Sequence, residues 1–225
     1  MDPEMTFSIL TYDRKTGVFA AAAATGSLCV GGWVLRGDIE SGLVASQGTA
    51  PSSFWRDDVL RAMYQGEDAE TAVTRVTSAD PGRGHRQLTA LDRQGRTQGF
   101  TGDQSVPYAS HIAEPGLVIA GNMLTGPEVL EAMKTAAHAE APSPAERMLR
   151  VLTAAKDAGG DSRGLKSAAL LVLEPERPPL DLRIDQHDND PISALEQLWQ
   201  KTCQSPYFDW LAEVPVLNDK SRAPQ

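Results

Sequence analysis

Apolar and polar positions divide this chain into two textures. The first half is built from short apolar runs cut by glycine. Thr6-Phe7-Ser8-Ile9-Leu10 opens a strand to Tyr12, Asp13-Arg14-Lys15-Thr16-Gly17 makes a tight turn, and Val18 to Ala24 returns. Leu43 to Gln47 is a further strand, with Gly26, Gly31, Gly32, Gly37 and Gly42 marking the turns between. Two helices follow, Asp57 to Tyr64 and Asp68 to Thr77, the second opened by Asp68 as N-cap. Gln87 to Leu91, the turn Asp92-Arg93-Gln94-Gly95 and Thr97 to Thr101 form a hairpin.

The second half is more helical. Gly116 to Ala120 is a short buried strand, and Gly121-Asn122-Met123-Leu124 leads out of it into a helix. Thr125-Gly126-Pro127-Glu128 carries the capping signature, with proline in the first turn and glutamate at the third position. Ser143-Pro144-Ala145-Glu146 repeats it and launches a helix to Ala158. Ser167 to Leu173 and Leu180 to Asp185 are the last strands, and Asp190-Pro191 starts a helix to Thr202. Helices arrive in pairs without strand–helix–strand alternation, so a doubly wound parallel sheet fits poorly. Helix pairs covering the outer faces of two stacked antiparallel sheets fit better. The expected organisation is an extension (1–5), one domain (6–204), and a tail (205–225) whose Tyr207, Phe208 and Trp210 pack on the domain or a partner.

Composition removes several functions. A chain of 225 residues supports one sizeable core, and 41% apolar residues is ordinary for a globular protein. The net charge of −9 argues against nucleic acid and anionic membrane surfaces. No run of eighteen apolar residues is present, so no membrane span is expected. Asp2 and Glu4 stand where a secretory signal would carry lysine or arginine, which points to the cytoplasm. The two cysteines, Cys29 and Cys203, lack metal spacing and read as buried thiols. Neither a phosphate-binding loop nor a Gly-x-Ser-x-Gly elbow occurs, and no cofactor or metal is expected.

Thr6 behind Met5 is the most informative pair. Loss of Met5 would leave a threonine with its hydroxyl and free α-amino group on one residue. Such an amine titrates near pH ~8 and can accept the hydroxyl proton without a histidine. The plain alternative is a β-branched residue opening a strand. Asn122, beside Gly121, can donate to a developing oxyanion or simply hold a turn. Thr25, Ser27, Ser46 and Gln47 sit at strand ends and either line a pocket mouth or form turns. Arg83, His85 and Arg86 precede the central hairpin; the arginines can clamp a carboxylate or pair with Asp80 or Asp103. Asp161 and Arg163 either bridge their loop to the site or cap each other. Together with His85 they form a weaker, separate candidate hydrolase site. Asp181, Arg183, Asp185 and His187 alternate on one strand face, and the arginine among them favours ion pairing over a metal.

In this order the motifs are familiar. Thr6-Phe7-Ser8-Ile9, Ala79-Asp80-Pro81-Gly82-Arg83, Arg86-Gln87-Leu88 and Gly99-Phe100-Thr101-Gly102 occur with Gly121-Asn122-Met123-Leu124-Thr125-Gly126-Pro127-Glu128-Val129. Gly160-Asp161-Ser162-Arg163-Gly164 and Ser167-Ala168-Ala169-Leu170 complete the set. Over about residues 5–200 the chain resembles the bacterial family called domain of unknown function 1028, placed among N-terminal-nucleophile hydrolases. The resemblance implies an α+β fold, a four-layer αββα sandwich of two antiparallel sheets, and hydrolysis of a small amide or related C–N bond by Thr6. Proteasome-type enzymes add a lysine and an aspartate from the early strands; Ala20 to Ser27 holds neither. The competing expectation is a catalytically silent fold of this kind that binds a small ligand or partner protein. The aromatic tail Tyr207, Phe208 and Trp210, together with Trp33, suits an interface, and with the frequency of twofold symmetry suggests a homodimer or higher homo-oligomer.

Overall fold

A computed structural model describes residues 5–105, 107–159 and 164–224. The chain folds as an α+β protein of two antiparallel sheets, with seven α-helices among the described residues. The strands β1 (Thr6–Asp13) and β2 (Val18–Thr25) form the expected hairpin, paired from Thr6 with Thr25 to Asp13 with Val18. A single turn, α1 (Val30–Trp33), then leads into the short strand β3 (Leu35–Asp38), β4 (Gly42–Gln47), and the helices α2 (Ser53–Tyr64) and α3 (Ala69–Ser78). Next come β5 (Gln87–Asp92), β6 (Thr97–Thr101), β7 (Tyr108–Glu114) and β8 (Leu117–Leu124). The remaining elements are α4 (Glu128–His138), α5 (Pro144–Asp157), β9 (Ser167–Glu174), β10 (Arg177–Ile184), α6 (Pro191–Thr202) and α7 (Tyr207–Trp210).

One sheet runs β10-β9-β2-β1-β8-β7 and the other β3-β4-β5-β6. Strand alternation sends side chains into three apolar clusters. Phe7, Ile9, Ala22 and Ala24 pack with Leu130 and Met133 of α4 and with Met148 and Leu152 of α5. Leu10, Ala21 and Ala23 pack instead against Leu43, Ala45 and Leu91 of the smaller sheet. Val44, Leu88 and Ala90 turn outward onto Trp55, Val59 and Val73 of α2 and α3. The Ala20–Ala24 run is buried throughout, since β2 lies inside the larger sheet and both its faces are covered.

Local chemistry fixed the helix starts that the sequence marks. Asp68 accepts from Thr71 N–H at 2.8 Å and Ser143 from Glu146 N–H at 3.2 Å. Asp190 accepts from Ile192 and Ser193 N–H groups and pairs with Lys156 at 2.8 Å. The Thr125–Glu128 signature behaves differently. Pro127 is the N-cap of α4 without a side-chain bond, and Thr125 Oγ1 meets Glu128 Oε1 at 3.4 Å. The strand expected to stop at Ala120 continues to Leu124, because both neighbours keep pairing beyond it. Strands β3 and β7 have no counterpart in the pattern-based reading; one is four residues long and the other only half-buried.

Both cysteines are exposed, contrary to the buried thiols expected. Cys29 caps α1 with φ at 60° in a surface turn, and Cys203 lies just past the end of α6. On β10, Arg183 pairs with Asp181 at 2.7 Å, as the alternation there favours. In the tail Arg177 lies over the Phe208 ring at 5.9 Å and Asn218 bonds Glu176, while Tyr207, Phe208 and Trp210 stay part exposed.

Burial works against ionisation of Asp190, yet the Lys156 ammonium and the Ser193 N–H and hydroxyl together hold its carboxyl down at about 2. The folded pKa is below the unfolded one, so this stabilisation is present above pH ~4 and is lost as pH falls toward 2. Asp190→Asn should therefore lower stability at pH 7 and flatten its pH dependence between those limits, read from urea midpoints across pH 2–6.

Candidate functional site

Thr6 is the first residue of β1, paired with Thr25 on one side and Asn122 on the other. Residues directly opposite in antiparallel strands share a face, with Cβ atoms ~4.5–5.5 Å apart. Thr25, Thr6 and Asn122 therefore form a polar row across three strands, on the face turned to the smaller sheet. Thr6 is 8% exposed and Asn122 fully buried.

The hydroxyl bonds of this row can be assigned by counting hydrogens. Thr25 donates its only hydroxyl hydrogen to Met5 C=O at 2.9 Å. The 2.9 Å contact between Thr25 Oγ1 and Thr6 Oγ1 is therefore donated by Thr6. Ser27 N–H fills the remaining lone pair of Thr25 at 3.3 Å. Gly26 N–H, from the next residue, also reaches Met5 C=O, at 3.1 Å.

Beneath the row lie two glutamines from the smaller sheet, both buried. Gln87 Nε2 donates to the carbonyls of Ser110 and Gly121, at 2.9 and 3.0 Å, and lies 2.9 Å from Thr101 Oγ1. Carbonyl oxygens only accept, so they fix which end of this amide is nitrogen. Gln87 Oε1 consequently faces Gln47 Nε2 at 2.8 Å and Asn122 Nδ2 at 3.2 Å. Gln47 Nε2 further reaches Thr6 C=O at 3.4 Å. This ordering leaves Gln47 Oε1 and Asn122 Oδ1 as buried acceptors without a partner among the described residues, as is Ser8 Oγ. Beyond Thr101, His111 Nδ1 lies 2.8 Å from Thr101 Oγ1, and burial pushes the imidazole pKa down toward the neutral form.

Backbone strain sits at the same point. Met123 has φ at 56°, a left-handed conformation costing about 1–2 kcal/mol for a residue with a Cβ. Its N–H bonds Ser105 C=O, and pairing between β8 and β1 ends at the preceding residue, Asn122.

The other sequence-selected residues disperse. Ser46 points to the outer face, donating to Ser52 C=O at 2.9 Å at the start of α2. Ser27 is exposed, and its carbonyl accepts from Ser167. Gly121 lies inside β8 and contributes its carbonyl, while a side chain there would strike Leu124. Arg86 pairs with Asp80 at 2.9 Å and lies over the Trp55 ring at 5.7 Å. Arg83 and His85 are exposed on a 3-10 turn, with His85 C=O accepting from Thr49 and Ala50. Asp161 and Arg163 lie outside the described residues. Gln87, Thr101 and His111 join the site unannounced, because a glutamine opening a strand reads as an ordinary surface residue. A separate concavity of about 900 Å³, bordered by Tyr12, His138 and Arg147, lies at the far end of β1, where Tyr12 is roughly 20 Å from Thr6 at ~3.4 Å per residue.

A model of the family described as a family of unknown function, DUF1028, matches residues 6–195. The chain belongs to that family. The matched region begins on Thr6 itself and includes Gln87, Thr101, Gly121 and Asn122, which share one network. The crystal structure of protein SPO2555 from Silicibacter pomeroyi, of the same family, is 49% identical. It covers 98% of this chain and 96% of its own, with a TM-score of 0.93. Thiobacillus denitrificans BPH in complex with epoxomicin aligns over 75% of this DUF1028 chain and 98% of its own, at 16% identity and a TM-score of 0.38, too distant to carry any argument. No curated protein matches.

Gln87→Leu should cost at least ~2 kcal/mol, because it strands the Gln47 and Asn122 amides in a buried layer. Chemical denaturation checks this, and Leu88→Met on the opposite face of β5 should cost less than ~1.5 kcal/mol.

Proposed function

We propose that this protein is an N-terminal-nucleophile hydrolase that cleaves a small amide or related C–N bond through Thr6 once its α-amine is free. The observation that carries this reading is the buried row in which the Thr6 hydroxyl donates to Thr25, while Thr25 donates to the peptide carbonyl ahead of Thr6. The alcohol is thereby linked, through Thr25, to the carbonyl of the bond whose removal would activate it. The three apolar clusters support the finer fold reading, an αββα sandwich with α2 and α3 on one outer face and α4, α5 and α6 on the other.

In the reaction the Thr6 Oγ–carbonyl bond forms while the α-amine accepts the hydroxyl proton. The C–N bond then breaks, and that proton passes to the leaving nitrogen. Water hydrolyses the resulting ester and regenerates the threonine. Freeing the amine adds hydrogens to a position directly across from Asn122, whose Oδ1 is an unpaired buried acceptor suited to orient it. Asn122 Nδ2 already donates to Gln87, which favours a positioning role over oxyanion binding. Arg86 is committed to Asp80 and Trp55, so a carboxylate clamp finds no support there.

A second reading, a catalytically silent fold that binds a ligand or partner, is favoured by one observation. Met5 is 2% exposed, and its peptide bond to Thr6 is held by two hydrogen bonds. Intact-mass and N-terminal analysis of protein expressed from its native gene separates the two. Thr6 at the amino terminus is the expected result, and full retention of the preceding residues rules out the threonine mechanism. With Thr6 exposed, Thr6→Ala should lower amide hydrolysis at least ~10³-fold, whereas a binder would keep its affinity.

A further inference from the structure

Resting on the hydrolase reading, we infer that the place filled by Met5 is the acyl pocket of the processed protein. An unbranched, uncharged acyl chain enters it, with the substrate carbonyl bound by Thr25 Oγ1 and Gly26 N–H. Three features of one place lead to this.

The first is the carbonyl cradle. Met5 C=O accepts from Thr25 Oγ1 at 2.9 Å and Gly26 N–H at 3.1 Å, and Thr25 Oγ1 is itself 2.9 Å from Thr6 Oγ1. A carbonyl held there stands beside the nucleophile, with two donors on its oxygen. That is the arrangement needed to stabilise charge as a tetrahedral intermediate forms. The free amine keeps the position of Thr6 N, so a substrate carbonyl sits displaced from the Met5 position, within reach of the same donors.

The second is the slot. Met5 belongs to the apolar cluster containing Phe7, Ala24, Leu124 and Val129, and it ranks among the largest fully buried side chains. Its departure leaves an apolar, methionine-shaped space continuous with the core. An engineered void of this kind, lined by aliphatic groups, stays dry and takes apolar ligands. A linear chain fits it; a carboxylate would be desolvated without a partner.

The third is the absence of formal charge on the side chains that make this site. Those of Thr6, Thr25, Gln47, Gln87 and Asn122 are all neutral, and the ionisable group among them is the freed Thr6 α-amine. The site therefore selects by length and shape, and its substrates are simple acyl amides. The acyl group passes to Thr6 Oγ as the C–N bond breaks, as above.

The test uses the chain produced as a cleavable fusion, so that Thr6 becomes the first residue, and a Thr6→Ala twin beginning at the same position. Ammonia release is measured with acetamide, butyramide, 4-(methylthio)butyramide, pivalamide and succinamate. We expect kcat/KM to rise roughly fourfold per added methylene, from ~0.8 kcal/mol of burial each, with pivalamide below butyramide and succinamate unused. Thr25→Val should lower kcat about 10²-fold and leave the chain-length ratios unchanged, and Thr25→Ser should restore most of the loss. The Thr6→Ala twin should be stabilised thermally by the same amides in the same order. Hydrolysis with no chain-length preference overturns the acyl slot and leaves the hydrolase reading standing. Length-ordered stabilisation of the twin without ammonia release keeps the slot and removes the nucleophile. The absence of both hydrolysis and stabilisation overturns the slot.

Discussion

Gln87 is the group on which the rest of this site depends. It is an uncharged amide in a buried layer between two sheets, so each of its hydrogen bonds must be made inside the protein or lost. Its nitrogen is held by carbonyls from β7 and β8 of the larger sheet, while its oxygen collects Gln47 from β4 and Asn122 from β8. The two sheets are thus tied together at the end where Thr6 lies. Fixed backbone acceptors decide the orientation of one amide, that amide decides two others, and these set what faces the threonine.

The inter-sheet layer is consequently unequal along its length. Around Leu10, Leu43 and Leu91 it is hydrocarbon, and dispersion with water exclusion holds it together. Around Thr6, Gln47, Gln87 and Asn122 it is polar, and specific bonds replace non-directional burial. Polar residues at this depth contribute less to stability than aliphatic ones would, and they gain fixed geometry in return. The left-handed Met123 belongs to the same end: strain is tolerated where paired strands and the Ser105 carbonyl constrain it. Charge is kept away, with Arg86 turned onto Trp55 and Asp80, and Arg56 used to tie α2 to the carbonyls of Gly32 and Trp33.

Met5 gives the segment before Thr6 two physical roles at once. Its side chain completes the apolar cluster beneath α4 and α5, and its carbonyl occupies the donors beside the threonine hydroxyl. Cleavage before Thr6 would therefore remove core packing and uncover polar groups in one step, coupling a freed amine to an opening in the fold instead of to a change in a distant element.

What the chain determined on its own was local. Asp68, Ser143 and Asp190 cap helices through N–H groups two or three residues away, so neighbouring residues were enough to place α3, α5 and α6. The β1–β2 hairpin followed from two apolar runs around a polar turn, and Thr6 stood out because its position is defined by sequence alone. The contacts that build the site span tens of residues: Gln87 with Asn122, Thr6 with Thr25, Gln47 with Thr6. No local pattern distinguishes a glutamine that joins two sheets from one that meets water. Asn122 read as an oxyanion donor or a turn residue where strand gives way to helix, and only pairing with β1 and β7 shows the strand continuing through it. Ser46 and Gln47 are adjacent in sequence, yet strand alternation sends one to α2 and the other to Thr6. Which face meets which partner is fixed only when the sheets stack, so its place behind Met5 singled out the threonine while tertiary structure alone chose its neighbours.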